Sequence, residues 1–478
     1  MLERIVDSQL ETYFASAPAP AAPLQHPLAR LPFADYWTGI VFNGEKIGFA
    51  HLAVARAQEA SDLWELRSEA AFALRFLGVA KKVNLRARDL VTEDLGLRRF
   101  EYRYLLDESE MTVEGRREGD ELVVRVTVGG TPHEQRHPVS GPLYPSSAIL
   151  LYPVLHGLAP GREYAFRVFS GELQAVRDVV QRVAEYQTSR LFRGGAYKVE
   201  TRLAGQRVLT WIDERGRPVF ELGMQGVMIS ALEDEDKAKR DLALAALNKK
   251  ESLLDYSLVR PDRPIARARA VATLRVALAG AAREPPSDGW QRCAPEGTEI
   301  VCEIAPLPSE GRAEPRHLAP SLNVQSSDPE IRRLAAEIVG EAAGDAERLA
   351  RIVRWMDANI EKAPLDVFSA RDVLERRRAE CQGHAWLFAA LARAAGIPTR
   401  VVNGLVYSED FGGFLFHAWN ESLVDGAWRA VDPTFGQVHA DATHLKLFEG
   451  ETLAEMTPLF DFVGRLRIRV LAYEHARR

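Results

Sequence analysis

Cys381-Gln-Gly-His-Ala-Trp-Leu-Phe-Ala-Ala-Leu-Ala-Arg-Ala-Ala-Gly396-Ile-Pro398 is the stretch from which the rest of the chain can be read. Its apolar residues Ala385, Phe388, Leu391, Ala392 and Ala395 recur every three or four positions, the pattern of a helix with one buried face. Gly396 suits the residue just past a helix end, and Pro398 prevents continuation. Upstream, Ser369-Ala-Arg-Asp372 is a capping-box-like start for a short helix over Val373 to Arg378, after which Ala379-Glu380 breaks the pattern. Cys381 therefore falls in the first turn of a new helix. There the unpaired N–H groups and the helix dipole favour a thiolate, lower the thiol pKa and offer donors to an oxyanion.

Two further stretches supply what a thiol nucleophile needs. His417-Ala-Trp-Asn-Glu-Ser-Leu-Val424 has strand character, Asp425-Gly426 is a hairpin turn signal, and Trp428-Arg-Ala-Val-Asp432 is the returning strand. A hairpin turning there pairs position 417 near 434, so Asp432 lies on the diagonal from His417, within hydrogen-bond reach. Thiol, imidazole and carboxylate in that order are a nucleophile, its base and the base's orienter: Cys381, His417 and Asp432.

These residues, with Leu387-Phe-Ala-Ala-Leu-Ala-Arg393-Ala-Ala-Gly396-Ile-Pro-Thr-Arg400, His417-Ala-Trp419 and Val431-Asp-Pro-Thr434, resemble the transglutaminase-like superfamily, a papain-like cysteine fold. Phe435-Gly-Gln437 and Asp441-Ala-Thr-His444-Leu resemble its bacterial branch. The resemblance runs from Asp328 to Gly450 and implies Cys381 as nucleophile, His417 as general base and acid, and Asp432 as orienter. One position departs: the family often has Gly two residues before the cysteine, where this chain has Ala379.

Blander readings stand beside these. A lone cysteine on a helix is usually a small buried hydrophobe, but here His417 and Asp432 stand in matching contexts. His384 packs beside the site rather than acting in it, Trp386 and Trp419 have the character of core residues, and Arg376-Arg-Arg378 of a solvated helix face. His384, Trp419 and His444 remain candidates for the cleft or the layer behind it, His444 as a structural hydrogen-bonding residue. His384, His417, His439 and His444 lack the spacing of a metal site, and neither a phosphate loop nor a dinucleotide fingerprint occurs, so neither metal nor cofactor is expected.

The chain has 478 residues, which calls for about two or three domains. Hydrophobic residues make up 46% and charged residues 27%, the balance of a soluble globular protein. With 61 Lys and Arg against 67 Asp and Glu the net charge is −6, which gives no electrostatic reason to expect nucleic acid as a partner. No apolar run is long enough for a transmembrane helix. The N-terminal residues lack a hydrophobic signal core, placing the protein in the cytoplasm, or in the periplasm if an export segment has been removed. Cys293 and Cys302 bracket a hairpin-like segment. Bridged, they imply an oxidising compartment and leave Cys381 as the single free thiol; unpaired, they are small apolar residues of a cytosolic hairpin.

The expected organisation is a multi-domain α+β chain. A flexible segment over 1–32 leads into a large, curved or barrel-like antiparallel β-rich domain over 33–230. A helical connector (231–256), a small β module (257–305) and a linker (306–327) follow, then a papain-like, transglutaminase-like catalytic domain over 328–478 with a helix packed on an antiparallel sheet. The expected activity is attack of Cys381 on a peptide or carboxamide carbonyl, giving a thioester, with a peptide or protein as the partner. Water as acceptor makes the protein a protease or amidase, the favoured reading; an amine makes it a crosslinking acyltransferase. The third reading is a binding or scaffold protein with an idle triad.

Overall fold

Apolar residues at alternate positions build most of the first half of the chain into strands. Leu122, Val124, Val126 and Val128 are fully buried within the strand Glu121–Val128, while Glu121 and Arg125 face solvent. The computed structural model describes residues 12–476 apart from 78, 246–249 and 453. The chain divides into two compact units, Met1–Leu106 with Glu110–Leu253, and Asp107–Ser109 with Leu254–Arg478.

The first unit is one large sheet. From Glu163–Ser170 to Met228–Glu233 its strands pair in chain order, and from Asp35–Phe42 to Thr131–Pro138 they do so again. Met228–Glu233 pairs antiparallel with Asp35–Phe42 and joins the two runs. The expected Asn43-Gly44 hairpin is present: Phe42 faces Glu45, and both turn residues have positive φ. Of the lead-in over 1–32, residues 1–11 lie outside the described residues; Phe14–Ser16 pairs with the strand Ala175–Ser189. Of the helical connector expected over 231–256, Glu235–Ala245 and the start of Ser252–Ser257 are helical and 246–249 lie outside the described residues.

The second unit opens with β1 (Val271–Ala279), β2 (Gln291–Glu296), β3 (Glu299–Ile304) and β4 (Ser309–Glu310). Four helices follow: α1 (Pro329–Val339), α2 (Asp345–Asn359), α3 (Ala370–Arg376) and α4 (Cys381–Ala394). It closes with β5 (Thr399–Ser408), β6 (Gly413–Val424), β7 (Ala427–Val431), β8 (His444–Glu449) and β9 (Arg467–His475). The strands form two sheets, β4-β7-β6-β5-β8 and β2-β3-β1-β9.

α4 is the hub of one core. Its Leu387, Phe388 and Leu391 are fully buried with Ile331 of α1, Ile352 and Met356 of α2, and Val401, Ala418 and Val431 of the sheet. A second core joins Val402, Leu405, Trp419 and Leu445 to Val276, Trp290, Cys293 and Cys302. α3 starts at Ala370 rather than Val373, because the Ser369 side chain accepts from the Asp372 N–H and so fixes the first turn. Cys293 and Cys302 face each other across β2 and β3 and are disulfide-bonded, with Cα atoms 4.1 Å apart. Among the described residues no helix is long and apolar enough to cross a membrane.

Candidate active site

Cys381 is the first residue of α4, and Glu380 caps the helix. Glu380 Oε2 accepts from the Gln382 N–H at 2.8 Å and Oε1 from the Gly383 N–H at 2.9 Å. Its Oε2 also accepts from the Cys381 thiol at 3.2 Å. Gly383 permits the tight fit behind this turn, since a Cβ there would lie 2.6 Å from that of Ala379. Ala379, the position of the departure noted above, is completely buried.

The expectation of an acidic thiol is overturned in this arrangement. The half-buried sulfur is desolvated and faces the Glu380 carboxylate, and together these push the thiol well above its ordinary pKa. The Ala418 backbone, one residue beyond His417, offers the sulfur a hydrogen bond that acts in the opposite direction. The helix dipole is present, but the Gln382 and Gly383 N–H groups that would favour a thiolate, or cradle an oxyanion, are spent on Glu380. Burial, and next the charge of Asp366, push the Glu380 carboxyl up to about 7.

The hairpin places the other two groups. Val424 faces Ala427 across the Asp425-Gly426 turn, and the ladder runs to Asn420 facing Val431; beyond it the chain turns away, with Asp432 paired to Gln437 instead of 434 lying opposite 417. His417 Nε2 donates to Asp432 Oδ2 at 2.8 Å. A nitrogen bonded to a carboxylate carries the hydrogen, so neutral His417 keeps its lone pair on Nδ1. Asp432 is fully buried and its Oδ1 accepts from the backbone N–H of Thr434 at 2.8 Å and of Phe435 at 3.2 Å. Burial alone would raise this carboxyl. The charge of His417 and hydrogen bonds from His417 and His444 outweigh it and hold Asp432 well below the usual carboxylate range.

His444, at the start of β8, belongs to this cluster: its Nε2 lies 2.9 Å from the same Oδ2. His417, Asp432 and His444 each bring one ligand-capable atom within 4.8 Å of the others, a spacing a divalent ion accepts, but here these atoms are hydrogen-bonded to one another. Trp419 is buried, its ring nearly parallel to that of His417 with centroids 6.3 Å apart. Phe435 stacks closer, at 5.1 Å. His384 sits in the first turn of α4 with Nδ1 donating to the Glu380 carbonyl at 2.9 Å, and burial lowers its pKa. Sequence reasoning passed over Glu380, because cap preferences point to shorter side chains. It also gave no role to Asp441, whose carbonyl accepts from His444 Nδ1, or to Arg269, whose Nη1 pairs with the Asp441 carboxylate at 2.9 Å.

Residues 332–433 match the transglutaminase-like superfamily, a span that takes in Cys381, His417 and Asp432. This part of the chain is a transglutaminase-like domain. Kyphoscoliosis peptidase of Mus musculus is 31% identical over 131 residues, which are 24% of this chain and 20% of that protein. The Homo sapiens protein of the same name is 32% identical over 118 residues, 22% of this chain and 18% of its own length. The chain thus spans about a fifth of the curated relatives it matches. A solved structure from Cytophaga hutchinsonii, provisionally described as a cysteine protease, shares 16% identity and covers 44% of this chain and 89% of its own, with a TM-score of 0.31.

Proposed function

We propose that residues 328–478 are a papain-like catalytic domain and that the protein is a thiol hydrolase, a protease or amidase acting through Cys381, His417 and Asp432. The observation that carries the reading is the 2.8 Å bond from His417 Nε2 to a buried, ionised Asp432, on the strand whose next residue meets the Cys381 sulfur. A carboxylate buried at this cost is retained where an imidazole must be held in one tautomer.

The thiol gives its proton to His417 Nδ1 as sulfur bonds to the carbonyl carbon, and the carbonyl π electrons pass to oxygen. As the tetrahedral intermediate collapses, the C–N bond breaks and the leaving amine takes that proton. Water, activated by the same nitrogen, then splits the thioester and regenerates the thiol. Because the resting thiol is protonated, transfer to His417 is coupled to substrate binding rather than complete beforehand. The peptidase named among the relatives supports water as acceptor; the superfamily's name keeps acyl transfer to an amine as the second reading.

The test is turnover of a peptide library followed by mass spectrometry, with wild type and Cys381→Ala. Cleavage products that require Cys381 establish the hydrolase. Incorporation of an added primary amine in place of cleavage establishes the acyltransferase. A peptide library left intact by wild type, together with Cys381 alkylation no faster than a free thiol, favours an idle site in a binding protein.

A further inference from the structure

Asp432 holds two imidazoles on one oxygen. His417 Nε2 and His444 Nε2 lie 2.8 and 2.9 Å from Oδ2, and two backbone N–H groups fill Oδ1. A carboxylate has about four acceptor positions, and here all are used. His444 is itself fully buried, and its Nδ1 lies 2.9 Å from the Asp441 carbonyl oxygen. A carbonyl and a carboxylate can only accept. Both ring nitrogens of His444 must therefore carry hydrogen, which makes the ring an imidazolium.

We propose that His444 is a positioning residue of the catalytic site, a buried cation that fixes Asp432 in the orientation from which its Oδ2 directs His417. The proposal rests on the triad reading above and extends it beyond the matched span of 332–433.

The surroundings fit a permanent charge. Asp432 and Asp441 are the carboxylates facing His444, and Asp441 is tied further by Arg269 and by the Thr443 N–H at 2.8 Å. The His417 ring is 5.9 Å away, and Trp419 and Phe435 close the remaining sides at 5.2 and 6.3 Å. Behind it, Trp290 Nε1 donates to the His444 carbonyl at 3.0 Å. Burial opposes the charge on His444, but hydrogen bonds and charges from Asp432 and Asp441 outweigh it and push the imidazole up to about 9. The consequence for catalysis is specific. Asp432 and His444 together are neutral, so Asp432 fixes the tautomer of His417 without presenting it a full negative charge. Such a His417 is oriented with Nδ1 free to act as the base.

The test is the rate of Cys381 alkylation by iodoacetamide from about pH 5 to 9, with the full chain as wild type, His444→Gln, His444→Phe and His417→Ala. The disulfide leaves Cys381 as the thiol that reacts. Gln keeps a neutral donor for Asp432 and Phe keeps the ring volume alone. Loss of the cation removes positive charge near the thiolate and lets Asp432 take up a proton sooner on acidification. The expected result for both variants is an acid limb shifted upward by about one pH unit, a tenfold slower reaction at the low end, with convergence toward wild type near pH 9.

Melting temperature gives a second readout independent of catalysis. A histidine whose folded pKa is raised contributes stability that is fully present below about 6.5 and is lost as pH rises through about 9. Wild type should lose melting temperature over that window and both His444 variants should not. A uniform rate scaling with an unmoved acid limb, or equal pH slopes of melting in wild type and variants, overturns the proposal and leaves His444 a packing residue. If instead His417→Ala does not change Cys381 reactivity, the triad reading fails, while the melting slopes still report the charge on His444.

Discussion

The site contains two carboxylates, one at each end, whose pKa values are pushed in opposite directions. Asp432, at the end of β7, is surrounded by two imidazoles and two backbone N–H groups and stays ionised. Glu380, ahead of α4, has two backbone N–H groups and a thiol as donors, faces the charge of Asp366, and is pushed up to about 7. Desolvation raises both; the imidazoles around Asp432, which Glu380 lacks, decide the outcome. The Asp432 end, the base end of the proposed triad, therefore keeps its charge, and the thiol end is held protonated.

Asp432→Asn breaks the comparison most severely. The amide has one acceptor oxygen to offer two histidines, and its NH₂ opposes one of them. Turnover should fall about 10³- to 10⁴-fold, measured on any substrate the peptide screen identifies. Replacing Cys293 and Cys302 together by Ala acts behind the base end alone, since both pack in the core that holds Trp290 and Trp419. Opening so short a loop should cost about 2 to 3 kcal/mol in denaturant unfolding. Cys381 alkylation of the folded variant should keep its wild-type acid limb.

Glu380→Gln sharpens the comparison from the other side. It removes the negative charge beside the sulfur, so alkylation of Cys381 at pH 7 should rise about tenfold. An acid whose folded pKa is raised binds its proton more tightly in the native state, so stability falls as pH rises from about 4.5 to 7. The variant should lose that fall. An unchanged alkylation rate would mean that burial, without Glu380, keeps the thiol protonated.

What could be read from the sequence was local. The three-and-four spacing after Cys381 and the Asp425-Gly426 turn reflect periodicities of a single element, and they delivered α4 and the register that carries Asp432 toward His417. What could not be read depends on groups brought together by the fold. The acidity expected for Cys381 followed from its place on a helix, but desolvation and Glu380 reversed it. His444 showed only as one histidine of Asp441-Ala-Thr-His444. Its meeting with Asp432 depends on the pairing of Asp432 with Gln437 and on β8 lying beside β5, neither of which leaves a period in the sequence. Likewise β9 has the alternation of a strand, yet nothing in it names β1 as its partner.

That last pairing bears on how the protein is made. β1 precedes Cys381, His417 and Asp432 in the chain, and β9 follows all three. A ribosome working from the N-terminus releases all three of these side chains before the strand that completes the sheet next to them. Val276, which pairs with Val470, lies in the same core as Trp290, and Trp290 in turn holds His444. The nascent polypeptide thus carries Cys381, His417 and Asp432 for an interval in which the strand that supports His444 through Trp290 is still missing.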